Sequence, residues 1–227
     1  MNTIYSFWTG DNDLTPNRKK IVDYNTAYFR SLGIDYVLVT EKNLDKYIEK
    51  ANVELHKGYK LLSFTHRSDY LRCYFMRFFG GGYLDLKRAN LGDWKNALTI
   101  DDNAYVNGST EVPWGVARCH GNDALWNLLK QNYMKLVCCC GFVCKANTPF
   151  VNEWYDQMIQ VMDKKYDLLV EYPGRHPREG HGDGNDPTYK YPIIWTELVG
   201  NIFHPLCLKY SGQLRYTLPG VSVENYR

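Results

Sequence analysis

No run of lysine or arginine in this chain exceeds three residues, and the net charge is only +2. That excludes a nucleic-acid backbone or an anionic membrane as a partner selected by charge alone. No apolar run is long enough to span a bilayer, so any membrane contact is expected to be peripheral. No secretory signal is expected from its sequence either. The seven cysteines are odd in number, and three of them are adjacent at 138–140 with another at 144, a poor basis for a disulfide framework. We expect them reduced and mostly buried, in a cytoplasmic protein. A zinc site is the sharper alternative, but Cys-Cys-Cys-x3-Cys lacks a second ligand pair at familiar spacing. No internal repeat or linker divides the chain, which reads as one domain over residues 1–227; Val221-Ser-Val has no obvious stop and leaves room for a further domain beyond it.

Aromatic residues are plentiful. The 19 Tyr and 6 Trp combine flat apolar bodies with polar tips, which suits flat or hydroxyl-rich ligands as well as a core. Ile4–Trp8 reads as a buried strand, Asn17–Leu32 as a helix stopped by Gly33, Tyr36–Val39 as a second strand, and Asn43–Ala51 as a short polar helix. This alternation predicts an α/β fold with a mainly parallel sheet, whose ligands bind beyond the C-terminal strand ends. Trp8, Thr9, Thr40 and Asp85 all fall at such ends. Further on, Asp93–Leu98 reads as a helical turn, Ala104–Asn107 as a strand and Gly121–Tyr133 as a helix. Leu136–Lys145 suggests a buried central strand pair with Gly141 as a bend or bulge. Thr148 should cap a helix running from Pro149 through Met162, and Ile193–Phe203 a last helix ended by His204-Pro205. The segment 173–192, rich in proline and glycine, is too long for an ordinary connector and suits a loop that orders around a ligand.

Between these lies the chemically densest stretch, residues 66–87. On a helix His66, Asp69 and Arg72 share one face, while Leu71, Phe75 and Phe78 point elsewhere. Gly80–Gly82 allow a tight reversal, after which Asp85 and Lys87 alternate onto one side of a strand. A nucleotide-sugar would account for this set. Arg72 and Lys87 could neutralise a diphosphate, Asp69 and Asp85 could accept hydrogen bonds from hydroxyls, and Trp8 could stack on a base.

The linked motifs Ser68-Asp69-x-x-Arg72 and Gly-Gly-x-Tyr-Leu-Asp85, with the Phe-Trp8-Thr-Gly strand end, resemble the signature S-D-x-x-R…G-G-x-Y-x-D-x-D of GT-A-fold glycosyltransferases. The similar groups are the "DXD sugar-binding" and capsular-polysaccharide enzymes, with the clostridial glucosylating toxins more distant. The resemblance covers roughly the first ninety residues. It implies a Rossmann-like GT-A fold, with a mixed, mainly parallel central sheet flanked by helices. It implies transfer of a hexose or deoxyhexose from a UDP-sugar to a glycan, lipid or protein-linked hydroxyl, as in polysaccharide biosynthesis. In that frame Trp8, Thr9, Thr40, Asp69, Arg72, Asp85 and Lys87 bind the donor. Asp85 and a base such as Glu197 (or Asp183 or Asp186) serve catalysis, and Mn²⁺ or Mg²⁺ is held by Asp85 and a C-terminal ligand, His204 or His181. Lys87 occupies the position of the second DXD acid, the usual metal ligand, which sets metal-independent transfer against a retained cation. The competing classes are a non-catalytic sugar-nucleotide or glycan-binding module and a sugar nucleotidyltransferase; the latter would carry a glycine-rich basic loop where Thr9–Asn17 is acidic.

Overall fold

Ile4, Tyr5, Ser6 and Phe7 are four consecutive buried residues, the pattern of a strand covered on both faces, and they form the middle of β1 (Thr3–Trp8). A computed structural model describes residues 2–119, 121–177, 179 and 190–220 of the chain. From β1 the chain runs through α1 (Pro16–Ser31), β2 (Asp35–Thr40), α2 (Asp45–Ala51), α3 (Phe64–Phe78), β3 (Gly81–Leu84), α4 (Trp94–Leu98) and β4 (Val106–Thr110). It continues through α5 (Asp123–Gln131), β5 (Val137–Cys144), α6 (Pro149–Lys164), α7 (Tyr166–Glu171), α8 (Gly200–Lys209) and β6 (Leu214–Arg215). Among the described residues the six strands form one mixed sheet, ordered β2-β1-β3-β5-β4-β6. The pairs β1·β2, β1·β3 and β4·β6 are parallel, while β3·β5 and β4·β5 are antiparallel. The expected α/β class with helices around a mostly parallel sheet is therefore present.

The helix α3 is buried over nearly its whole surface: His66, Asp69 and every residue from Tyr70 to Met76 are buried. Ser63 starts it by accepting the His66 N–H on its hydroxyl. At its far end Gly80 (φ +62°) and Gly81 (φ +93°) turn the chain back into β3. A Cβ on Gly81 would lie 2.6 Å from the Thr3 carbonyl oxygen, so glycine is what lets β3 lie against β1.

Five segments differ from the sequence expectation. Within residues 136–145 a single strand forms, β5 (Val137–Cys144), rather than a strand pair, because β3 and β4 each take one of its edges. The expected irregularity at Gly141 is a wide bulge: Val137 pairs with Thr110 and Phe142 with Gly108, so Cys138–Gly141 stand opposite Ser109. The strand expected at 104–107 lies two residues later, at Val106–Thr110. The last helix begins at Gly200 and carries His204 and Pro205 inside it, held by buried Ile202, Phe203, Leu206 and Cys207. Thr148 precedes α6 without capping it; its hydroxyl donates to Lys145 O at 3.4 Å. Asp85 and Lys87 follow β3 in a tight turn closed by a 2.5 Å hydrogen bond from Lys87 N to Asp85 O, so they share a side by turning and not by strand alternation.

Candidate functional site

The C-terminal end of β3 delivers Asp85 into a group of charges that the neighbouring elements hold in place. Its Oδ2 lies 2.9 Å from Lys87 Nζ, and its Oδ1 lies 3.4 Å from Arg72 Nη2 and accepts the Tyr83 hydroxyl at 2.6 Å. Arg72 Nη2 also lies 3.1 Å from Asp69 Oδ1, one turn back along α3. The guanidinium stacks over the Tyr83 ring at 4.1 Å and donates from Nη1 to the Cys139 carbonyl at 2.7 Å. Its Nε has no acceptor among the described residues, a cost of about 1–3 kcal/mol for a buried donor. Two carboxylates and two cations thus share one largely buried site, and their formal charges cancel.

Burial and charge act oppositely on the two acids. Burial would raise the Asp85 carboxyl, but Arg72, Lys87 and the Tyr83 hydroxyl outweigh it and hold it below the usual range. Asp69 has Arg72 as its single favourable neighbour, and burial lifts it to about 6. For Lys87 the attraction of Asp85 outweighs burial and raises the ammonium above its ordinary value. The pair stays charged.

The turn carrying these groups is clamped from three sides. Ser6 of β1 donates to Leu84 O at 2.6 Å, with the Tyr36 hydroxyl bonded to it in turn. Asn25 of α1, fully buried, donates to Lys87 O and accepts from Ala89 N, both at 2.9 Å. Arg18 donates to Leu86 O. On the β5 side the bulge offers the Cys140 carbonyl to Asp85 N at 2.7 Å and the Cys140 thiol to Lys87 Nζ at 3.4 Å. The cysteine triplet forms no disulfide among the described residues. It is not core: all three residues are partly exposed, and two of them shape the site. Tyr83, Asn25, Cys139 and Cys140 are site residues that sequence reasoning did not single out. Only Tyr83, inside the glycine motif, left a signal there.

Trp8 and Thr40 lie opposite each other at the parallel ends of β1 and β2. Trp8 is partly exposed at the strand end, with its indole N–H donating to Asn12 O at 2.8 Å. Thr9 is buried and ties β1 to the start of α3 through a 2.6 Å bond from its hydroxyl to Phe64 O. Thr40 uses its N–H to bind the Asn43 side chain. His66 does not join the acids. Its ring packs on Tyr191 and bonds the Tyr191 hydroxyl, Ser63 and Trp195 O, and burial lowers it to about 4, so it is neutral.

The remaining candidates stand elsewhere. Glu197 is bound to Lys165 at 2.6 Å and accepts the Ile194 N–H at 2.8 Å, a tie between segments. His204, on α8, faces Glu111 and Cys139. His181, Asp183 and Asp186 lie outside the described residues. A divalent cation does not fit at Asp85: both its oxygens are engaged, and the Lys87 ammonium occupies one of them where the second metal-binding acid would stand. Neither a protein-family model nor a curated protein sequence matches the chain. Among the described residues no helix is long and apolar enough to cross a membrane.

Proposed function

We propose that this chain is a GT-A-type glycosyltransferase that moves a hexose or deoxyhexose from a UDP-sugar to an acceptor hydroxyl, with Lys87 supplying the positive charge that a metal ion supplies elsewhere. The observation that carries the reading is the Asp69–Arg72–Asp85–Lys87 group at the C-terminal edge of β3, beside the Trp8 ring at the end of β1. In a sheet of this kind that edge is where ligands bind.

The donor's uracil stacks on Trp8, and its sugar and ribose hydroxyls donate to Asp69 and Asp85. Lys87 exchanges its weak thiol acceptor, Cys140, for a phosphate oxygen while keeping Asp85. As the bond between the anomeric carbon and the phosphate oxygen breaks, negative charge grows on the departing UDP, and Lys87 and Arg72 stabilise it. The acceptor oxygen forms the new bond at that carbon and passes its proton to the departing phosphate oxygen. Glu197, committed to Lys165, is left out of this step.

The test is a thermal-shift series with UDP, UDP-sugars and nucleoside triphosphates, without added Mn²⁺ or Mg²⁺, followed by a UDP-sugar hydrolysis assay. Stabilisation by UDP and UDP-sugars alone, with slow hydrolysis lost in Asp85→Ala, is the expected result. Binding without any turnover would favour the sugar-nucleotide-binding module. No response to any nucleotide would remove both readings.

A further inference from the structure

Glu111, Cys139 and His204 each point one ligand atom toward a common point, and those atoms all lie within 4.8 Å of one another. They come from three separate elements: the loop after β4, the bulge of β5, and α8. His204 Nε2 lies 3.3 Å from Cys139 Sγ and 3.4 Å from Glu111 Oε2. Glu111 and His204 are buried and Cys139 is partly exposed, so the group is enclosed but reachable. From this geometry we infer a binding site for a single zinc-class cation, held by one thiolate, one imidazole and one carboxylate.

The donor set selects the metal. A thiolate and an imidazole favour zinc and its neighbours over magnesium or calcium, which require oxygen ligands. This site is separate from the donor carboxylates and does not depend on the glycosyltransferase reading. Binding displaces the Cys139 proton, which burial and the neighbouring Glu111 hold on the thiol in the metal-free protein. His204 Nδ1 accepts the Ala117 N–H at 3.2 Å, which leaves Nε2 as the nitrogen facing Cys139 and Glu111. A metal on Nε2 places the ring proton on Nδ1, so the Ala117 N–H loses that acceptor, a cost set against three metal–ligand bonds. The role is structural. The Cys139 and Cys140 carbonyls hold Arg72 and the Asp85 N–H, so a cation on the Cys139 sulfur pins the bulge that shapes the charged site.

Chelator-treated and desalted full-length protein is titrated with Co²⁺ and then with Zn²⁺, and zinc content is measured by mass spectrometry. One equivalent per chain is expected, with a sulfur-to-cobalt charge-transfer band that zinc abolishes and a melting temperature that zinc raises. Cys139→Ser should lose the band, Glu111→Gln and His204→Gln should weaken Co²⁺ binding about tenfold or more, and Cys138→Ser should retain both. Circular dichroism confirms that each variant is folded. Wild-type protein without a sulfur band, or a band that survives in folded Cys139→Ser, would overturn the inference.

Discussion

An ammonium 2.9 Å from a carboxylate, with both groups mostly shielded from water, gains enough attraction to keep each charged, and removing one partner strands the other. Lys87→Ala would leave Asp85 to Arg72 and Tyr83. Because Asp85 keeps 22% side-chain exposure, the expected loss is moderate, about 1–3 kcal/mol in a denaturant melt. A loss near zero would show that Lys87 does not serve Asp85. Lys87→Asp should instead make UDP binding respond to Mn²⁺; an unchanged metal response would count against lysine as the stand-in cation. His66 gives the pH dependence. Its ordinary value of 6.5 falls to about 4 in the folded protein, so the unfolded chain takes up the proton first. Its contribution is complete above about pH 6.5 and is lost as pH falls through about 4, some ~3 kcal/mol in all. Asp69, raised to about 6, works the other way, disfavouring the fold as pH climbs through that range. His66→Gln should therefore flatten the acid limb of a stability–pH curve between about pH 6.5 and 4; an unaltered limb would contradict the buried neutral ring.

At the scale of elements, the α3–β3 reversal rests on backbone that side chains cannot enter. Gly81→Ala combines φ +93° with a Cβ 2.6 Å from the Thr3 carbonyl and should cost about 2–4 kcal/mol. Gly33→Ala also has positive φ (+70°) but meets nothing within 4 Å, so about 1 kcal/mol is expected. Equal melting-temperature losses in the two would refute the close approach of β3 to β1. The elements themselves were legible where local pattern and burial agree: α1 from its apolar spacing and Gly33 stop, β1 from its apolar run, and α3 from its periodicity. Pro205 misled because proline reads as a terminator, whereas packing of Phe203, Leu206 and Cys207 keeps the helix going through it. The cysteine triplet misled for a different reason. Three adjacent cysteines look like buried strand, and only the pairing with β4 and β3 shows that they bulge out toward Arg72 and Asp85.

Across the whole molecule, the α/β class followed from strand–helix alternation, and Asp69, Arg72, Asp85 and Lys87 were found together as their spacing suggested. What spacing could not supply is convergence over long separations. Asn25 reaching Lys87, Cys139 reaching Arg72, and His204 reaching Glu111 each join residues more than sixty positions apart, and no local pattern records such pairs. Glu197, expected as a base, is tied to Lys165, and His204, expected as a metal ligand beside Asp85, instead faces Glu111 and Cys139.

The central claim is a UDP site whose cation is built into the chain. Calorimetric titration of desalted protein with UDP, in buffer free of divalent cations, tests it most directly. The account predicts saturable binding that added Mn²⁺ leaves within about twofold, and a loss of about tenfold or more, near 1.4 kcal/mol, in Lys87→Ala. Binding that appears only with Mn²⁺, or that is as tight in Lys87→Ala as in the wild type, would contradict it.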